Sequence, residues 1–405
     1  MRENIDQGGS ARVEPEDSFN FFHDGRVRSI FYQLLTAAIV GWLVWFLVSN
    51  TAQNLETRGM STGFGFLTDS AAFAVDFKLI PYQPGIDTYG RVLLLGIINT
   101  LYISAMAILV ATLMGFFVGV LRLSSNWLVS KVALAYVEIF RNTPLLIQIV
   151  FWYVGVFALM PAVKNTLDLS GGVKMIMLNS RGLYVAWPVP GDMFWLTPLA
   201  LGVAIIAVII LRRWAYTHRE QSGAQKPVLV PSLALLILLP AIAFVATGMP
   251  ISWDMPTLEG FNYTGGRSVP PAFLALLVSL SIYHSAQIAE AVRAGILSVN
   301  RGQTDAALSI GLKPKRVLSL VIIPQAMPAI VPPLISQWMN IVKNSSLAVA
   351  IGYSDIVAVF MGTSLNQAGH AVEIVAITMA FYASISLGIS GLLNIYNKRV
   401  QLVER

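Results

Sequence analysis

Long apolar runs separated by short polar segments organise this chain from Ile30 onward. A helix needs about twenty apolar residues to cross the hydrocarbon core of a bilayer. Eight runs suit that purpose: Ile30–Val48, Val92–Leu121, Pro144–Met160, Trp195–Leu211, Pro227–Thr247, Pro271–Glu290, Ala326–Ile351 and Ala371–Asn397. The second, seventh and eighth exceed the bilayer requirement, so tilt or helical extension beyond the lipid is expected. The stretch from Val132 to Met160 is interrupted by Glu138 and Arg141, which predicts a first part lying outside the membrane.

The polar segments differ in character. The tail Met1–Arg28 is polar and carries six acidic residues, the composition of a solvated, partly disordered segment rather than of a signal peptide. Residues 50–89 mix Phe64, Phe66, Phe73 and Phe77 with polar groups, and part of that stretch is expected along the interface. Residues 161–193 and 248–270 are rich in Gly and Pro, with Trp187 and Trp195 at headgroup level. Residues 212–226 form a short basic loop.

Composition agrees with a polytopic membrane protein. The 405 residues are 56% hydrophobic and only 12% charged, whereas a soluble domain carries about 25% charged residues. With the N-terminus inside, nineteen of the 27 Lys and Arg fall on the inner side and seven on the outer side, with Lys343 within a span. That asymmetry predicts eight spans with both termini cytoplasmic. The net charge of +6 is therefore a topology signal, and with no soluble basic face it gives no support to a nucleic-acid partner. No cysteine is present, which excludes disulfides and thiolate metal sites.

The segment 300–324 stands out as polar and regularly spaced between apolar spans. Asn300 is placed as an N-cap, with Gln303 three positions later as a capping-box partner. Asp305 then complements the helix dipole, and Ala306, Ala307 and Leu308 are strong helix formers. Gly311 is placed where a left-handed residue ends the helix, and Pro314 starts the next one. Lys313, Lys315 and Arg316 keep the turn inside, and Pro324 and Pro328 mark re-entry into the membrane. A short helix with a smooth Ala-Ala surface suits docking to a soluble partner; an ordinary interfacial helix has the same spacing.

Asp305-Ala306-Ala307, Gly311 and Val321-Ile322-Ile323-Pro324 resemble the coupling-loop signature of ABC-importer permeases, with Asp in place of Glu and aliphatics exchanged among Val and Ile. Tyr136-Val-Glu138-Ile-Phe-Arg141-Asn-Thr143-Pro144, Arg293-Ala-Gly-Ile296 with Gly302-Gln303, and Lys343-Asn-Ser-Ser346-Leu347 with Ile351-Gly352 resemble the polar amino-acid (histidine/glutamine-type) members. The enlarged layout, with Asn179-Ser-Arg181-Gly-Leu-Tyr184, is most similar to the general L-amino-acid (Aap/Bzt-type) permeases. The resemblance implies an all-α polytopic fold: a five-span type I importer core with one added N-terminal span and a two-span insert. Its parts would be a cytoplasmic tail over 1–29, the extra span and periplasmic segment over 30–91, core segments over 92–160 and 271–405, and the insert over 161–270.

What the resemblance implies about function is an inner-membrane permease subunit of an ATP-driven, binding-protein-dependent importer of L-amino acids, of broad range. Its partners would be an ATP-binding cassette dimer, a second permease subunit (related or identical), a periplasmic binding protein and lipid. Asp305, Ala306, Ala307, Gly311 and Pro324 would couple to the ATPase. ATP and Mg would be bound by those partner subunits; this chain has no Walker motif, no HExxH and no catalytic or metal constellation.

Ionisable residues within spans are functional candidates. Lys343 either snorkels to water or faces a cavity and meets a substrate carboxylate, beside Asn344, Ser345 and Ser346. His284 is either an interhelical hydrogen-bonding residue or a substrate contact. Glu373 is a further candidate, for an ammonium group. Glu290 with Arg293, and Glu138 with Arg141, have the spacing of local ion pairs. The alternative function is an ion-coupled secondary amino-acid transporter, which would carry paired intramembrane carboxylates on broken spans.

Overall fold

The computed structural model describes residues 25–57, 63–222 and 227–400. Of the solvated tail expected over Met1–Arg28, residues 1–24 lie outside the described residues, and 25–28 already belong to the first helix. The chain divides into two compact units, Met1–Phe64 and Gly65–Arg405. The first contains helix α1, Gly25–Thr57, whose large apolar side chains are exposed around its whole circumference, as a helix in lipid requires.

The second unit begins with a packed, largely irregular stretch before the first long helix. Phe66 is buried and stacks on Phe360 and His370, and Phe77 packs on Phe273 and Tyr353. These two aromatics thus cover protein, while Phe64 and Ile86 of the same stretch are exposed. Helix α2, Tyr89–Leu121, is capped by Thr88, whose hydroxyl accepts from the Arg91 N–H. Helix α3, Trp127–Asn142, is capped by Asn126. Helix α4, Leu145–Val150, continues as a π-helical stretch over Phe151–Phe157. This segment corresponds to the third expected span, Pro144–Met160, and α3 meets it at 102°. Pro144 sits at the bend and disfavours helical backbone at Thr143 (ψ 129°).

The segments flanking the next two helices form short antiparallel strands that hydropathy did not reveal. Strands β1 (Leu167–Asp168), β2 (Ile176–Asn179), β3 (Gly182–Val185) and β4 (Trp187–Pro190) precede two long helices, α5 (Leu196–Ser222) and α6 (Leu229–Ala246). Strands β5 (Ile251–Asp254), β6 (Thr257–Glu259), β7 (Asn262–Thr264) and β8 (Arg267–Val269) follow them. One sheet runs β1-β2-β3-β8, and β4 pairs with β5, so both approaches to the α5–α6 hairpin are tied together. Asn179-Ser-Arg181-Gly182 makes the β2–β3 turn, where Asn179 Oδ1 accepts from the Arg181 N–H at 2.8 Å. Gly182 has φ 137°, and a Cβ there would stand 2.3 Å from the Val269 carbonyl oxygen, so only glycine lets β8 pair.

The remaining helices are α7 (Pro271–Leu297), α8 (Arg301–Ser309), α9 (Pro314–Val317), α10 (Ile323–Asn344), α11 (Leu365–Ala368) and α12 (Ala371–Val400). Among the described residues seven helices are long and apolar enough to span a membrane, and the bent pair makes eight if counted as one span. The core lies between α2 and α7. Small residues recur on one face of α2: Gly96, Thr100, Ser104, Ala111, Gly115 and Gly119, all buried. Close backbone approach through small residues is how helices associate where lipid removes the hydrophobic drive. A Cβ on Gly115 would lie 2.6 Å from Ile288, and one on Gly119 2.9 Å from Val292. Tyr102 also packs on Phe273, 5.7 Å between ring centroids, so α2 and α7 run side by side in one direction. Helix α10 returns antiparallel, with Ile330 against Gly295.

Replacing Gly115 with Val should separate α2 from α7 and destabilise the protein by about 1–3 kcal/mol. Gly41, with nothing within 4 Å of its Cβ position, should accept Ala without loss. Thermal unfolding in detergent checks both; an unchanged midpoint for Gly115→Val would refute the close-approach account.

Candidate functional site

The loop that joins α7 to α10 is built by local capping. Asn300 is extended (φ −60°, ψ 133°), and its Oδ1 accepts from the Gly302 N–H at 2.8 Å. The N-cap is thus where the sequence placed it. Gln303 does not close a capping box: its Oε1 accepts from Gln325 Nε2 at 3.3 Å, which ties α8 to α10. Asp305 lies on the second turn, because the helix starts at Arg301; a dipole effect confined to the first turn does not reach it. Asp305 and Ala306 point outward while Ala307 is buried.

Gly311 has φ 84°. The Gly311 N–H donates to the Leu308 carbonyl at 2.9 Å and the Leu312 N–H to the Ala307 carbonyl at 3.2 Å, the bond pair of a Schellman C-cap. Pro314 opens α9 as expected. Pro324 has a less predictable effect. It cannot donate to the carbonyl four residues back, and its ring crowds that carbonyl. The helix widens into a π-helical turn over Leu318–Ile322 and proceeds through Pro324 into α10 without a break. Leu308 and Ile310 are 44% and 78% exposed on this loop.

A second polar group lies between α7 and α10. His284 is 1% exposed. Its Nδ1 is 2.9 Å from Gln337 Oε1, and its Nε2 is 3.2 Å from Asn344 Nδ2. A neutral ring with its proton on Nδ1 satisfies both contacts, donating to Gln337 and accepting from Asn344. Nearby bonds fix the surrounding helices: Trp338 Nε1 donates to Thr112 Oγ1 at 3.0 Å, and the Tyr136 and Ser285 hydroxyls are 2.6 Å apart.

Two of the sequence-picked pathway residues, His284 and Asn344, are therefore brought together. Lys343 is exposed beside them. Ser345 and Ser346 spend their hydroxyls on the carbonyls of Val342 and Lys343. Glu373 is elsewhere, in the first turn of α12 and 3.9 Å from His370. Gln337 was missed; its position in an apolar, proline-rich run gave no hint of a partner 53 residues away.

Ionic contacts follow a similar pattern. Glu290 pairs with Arg293, Nη2 to Oε1 at 2.6 Å, and also with Arg122 at the end of α2. The expected Glu138–Arg141 contact is replaced: Glu138 accepts from Asn142 Nδ2 at 3.0 Å, the residue one turn on. Arg141, in the last turn before the bend, lines a cavity of about 380 Å³ with Gln287, Glu290, Ala294 and Ser298. At the opposite end of the core, a cavity of about 220 Å³ is lined by Asp76, Phe77, Tyr153, Pro270, Tyr353 and Ser354. Asn99 of α2 holds its walls: its Nδ2 donates to the Phe77 and Ser354 carbonyls at 2.8 and 2.7 Å. Among the described residues no three His, Asp or Glu gather as a metal-binding set.

The model of the family described as "binding-protein-dependent transport system inner membrane component" matches residues 226–402. YhdX of Escherichia coli is 46% identical over 384 residues, covering 95% of this chain and 97% of that protein. The general L-amino acid transport system permease protein AapQ of Rhizobium johnstonii is 44% identical over 383 residues, covering 95% and 94%. The glutamate/glutamine/aspartate/asparagine transport system permease protein BztB of Rhodobacter capsulatus is 38% identical over 415 residues, covering 95% and 96%.

Replacing His284 with Leu leaves the half-buried Gln337 and Asn344 amides without their partner. Each orphaned group costs about 1–3 kcal/mol. The melting midpoint of the purified protein should fall by several degrees, and an unchanged midpoint would show that the three side chains do not form one network.

Proposed function

The chain belongs to the binding-protein-dependent inner-membrane components of amino-acid ABC transporters, and on that premise we propose that its 300–324 loop is the coupling element of a broad-range L-amino-acid importer. The observation that carries this reading is the loop's construction. Asn300 and Gly311 fix both ends of α8, Ala307 anchors it inward, and Asp305, Ala306, Leu308 and Ile310 are offered outward. A capped helix passes on motion that a loose loop would absorb. The continuous helix from Pro314 to Ile351 carries that motion toward the His284–Gln337–Asn344 group.

In this reading two ATPase subunits, holding ATP and Mg, take the loops of two permease subunits from the cytoplasm. Both termini lie on that side. A periplasmic binding protein delivers the amino acid to the strand-bearing side. Closure of the ATPases favours the outward-facing state and hydrolysis reverses it. This chain supplies no nucleotide chemistry; its residues bind, orient and transmit. Lys343 and Asn344 offer a cation and an amide suited to an amino-acid carboxylate, with His284 and Gln337 holding Asn344 in place. Glu373 is left out of the pathway, since it is engaged beside His370. AapQ is named for general L-amino acid transport, which supports the broad range. The ion-coupled alternative finds no support in the family. Uptake into proteoliposomes holding the full complex tests the reading: it should require ATP and the binding protein, and uptake driven by an ion gradient without ATP would overturn it.

Two substitutions probe the two ends of the mechanism. Nothing lies within 4 Å of a Cβ on Gly311, so only backbone conformation opposes replacement. A left-handed β-branched residue costs at least about 1–2 kcal/mol, whereas Asn tolerates that conformation. ATP-driven uptake should collapse for Gly311→Val and persist for Gly311→Asn; normal uptake by the Val variant would sink the coupling-turn assignment. Lys343→Met should lower uptake while ATPase co-purification stays intact, and unchanged uptake across several amino acids would remove Lys343 from the pathway.

A further inference from the structure

Between the end of the 314–351 helix and α12, the chain makes a buried return that none of the roles above uses. Gly352, in left-handed backbone (φ 73°), turns the chain. Tyr353 and Ser354 then line the 220 Å³ cavity, and Asp355 stands immediately before a helical stretch over Val357–Ser364. Asp355 is fully buried, at 0% exposure. Its Oδ1 accepts from the Ala358 N–H at 2.8 Å, an N-cap bond, while its Oδ2 has no partner.

The seam around it is dense in polar contacts to α2. The Ile356 N–H donates to Thr100 Oγ1 at 3.0 Å, the Tyr353 hydroxyl to the Asn99 carbonyl at 3.0 Å, and Asn99 Nδ2 to the Ser354 carbonyl. A Cβ on Gly96 would stand 2.8 Å from Ile356 Cα, so the return lies flush against α2. Among the described residues no cation pairs with Asp355. The titratable groups that face it are the phenols of Tyr353 and, on α12, Tyr382; α2 presents the amide of Asn99 and the hydroxyl of Thr100. His370 and Glu373 of α12 are engaged with each other at 3.9 Å.

Resting on the importer reading, we propose that Asp355 is a positioning residue held as a neutral carboxylic acid, which caps the 357–364 stretch and so holds the segment whose Tyr353, Ser354 and Ile356 bond to α2, and with it the cavity wall of Tyr353 and Ser354. A carboxylate buried from solvent with an unpartnered oxygen is too costly to persist, so the group keeps its proton instead. Burial pushes the Asp355 carboxyl up to about 7. Because that value is raised, the stabilising contribution is complete below the ordinary carboxyl range near 4 and is lost as pH climbs through about 7. Ionisation would place a lone charge in the seam and loosen the wall.

The test uses the complete transporter in proteoliposomes at equal pH inside and out. Asp355→Asn keeps the capping oxygen and cannot ionise; Asp355→Ser does the same with a smaller cap and serves if the Asn variant fails to assemble. Dividing wild-type uptake by variant uptake cancels the pH responses of the ATPase and binding protein. The ratio should fall about ten-fold from pH 6 to pH 8, following loss of the neutral form. A flat ratio overturns the proposal, as does inactivity of an assembled Asn variant at every pH, which would demand a charged Asp355. Failure of the importer reading is distinct: the wild-type complex would then show no ATP-dependent uptake at any pH.

Discussion

The close approach of α2 to α7 is the constraint on which the rest of the second unit depends. In a bilayer, apolar side chains gain little by leaving lipid, so helices adhere through backbone proximity and a few polar bonds. Gly115 and Gly119 allow that proximity against Ile288 and Val292. Once the two helices are in contact, Arg122 reaches Glu290 at one end and Tyr102 meets Phe273 toward the other. A bulkier α2 would displace every one of these contacts together.

Helix α10 is held to that pair by a small number of bonds, and this makes its prolines intelligible. Pro328, Pro332 and Pro333 lie inside the helix, and Pro324 sits at its start behind a π-helical turn. Such a helix lacks several of its own hydrogen bonds. Its position comes from outside: Trp338 on Thr112, Gln337 and Asn344 on His284, Ile330 against Gly295. The loop at one end is thereby linked to the polar group in the core through one element.

The opposite side follows different physics. The strands between α4 and α7 are two to four residues long, and they pair segments that flank the α5–α6 hairpin. Arg267 lies over the Trp187 ring at 4.7 Å, joining β8 to β4. Helices α5 and α6 are therefore joined to the segments around them by a small antiparallel framework rather than by a loose tether.

Much of this was legible in the chain itself. Spans, the Asn300 cap, the Gly311 stop and the polar character of His284 and Asn344 all arise from hydropathy or from neighbours within a few residues, and such local physics survives without tertiary information. The bend at Pro144 was half legible: Glu138 and Arg141 signalled a helix outside the lipid, but its 102° angle depends on packing. The strands were not legible, since runs of two to four residues carry too little alternation to register. Nor were the roles of Asn99, Gln337 and Asp355. Asn99 meets Ser354 across 255 residues of sequence, and a buried carboxyl is recognisable only once the surrounding elements have enclosed it. The sequence by itself determined where helices start, stop and cross; only the tertiary structure decided which polar side chains meet, because those partners are chosen by helix approach rather than by spacing along the chain.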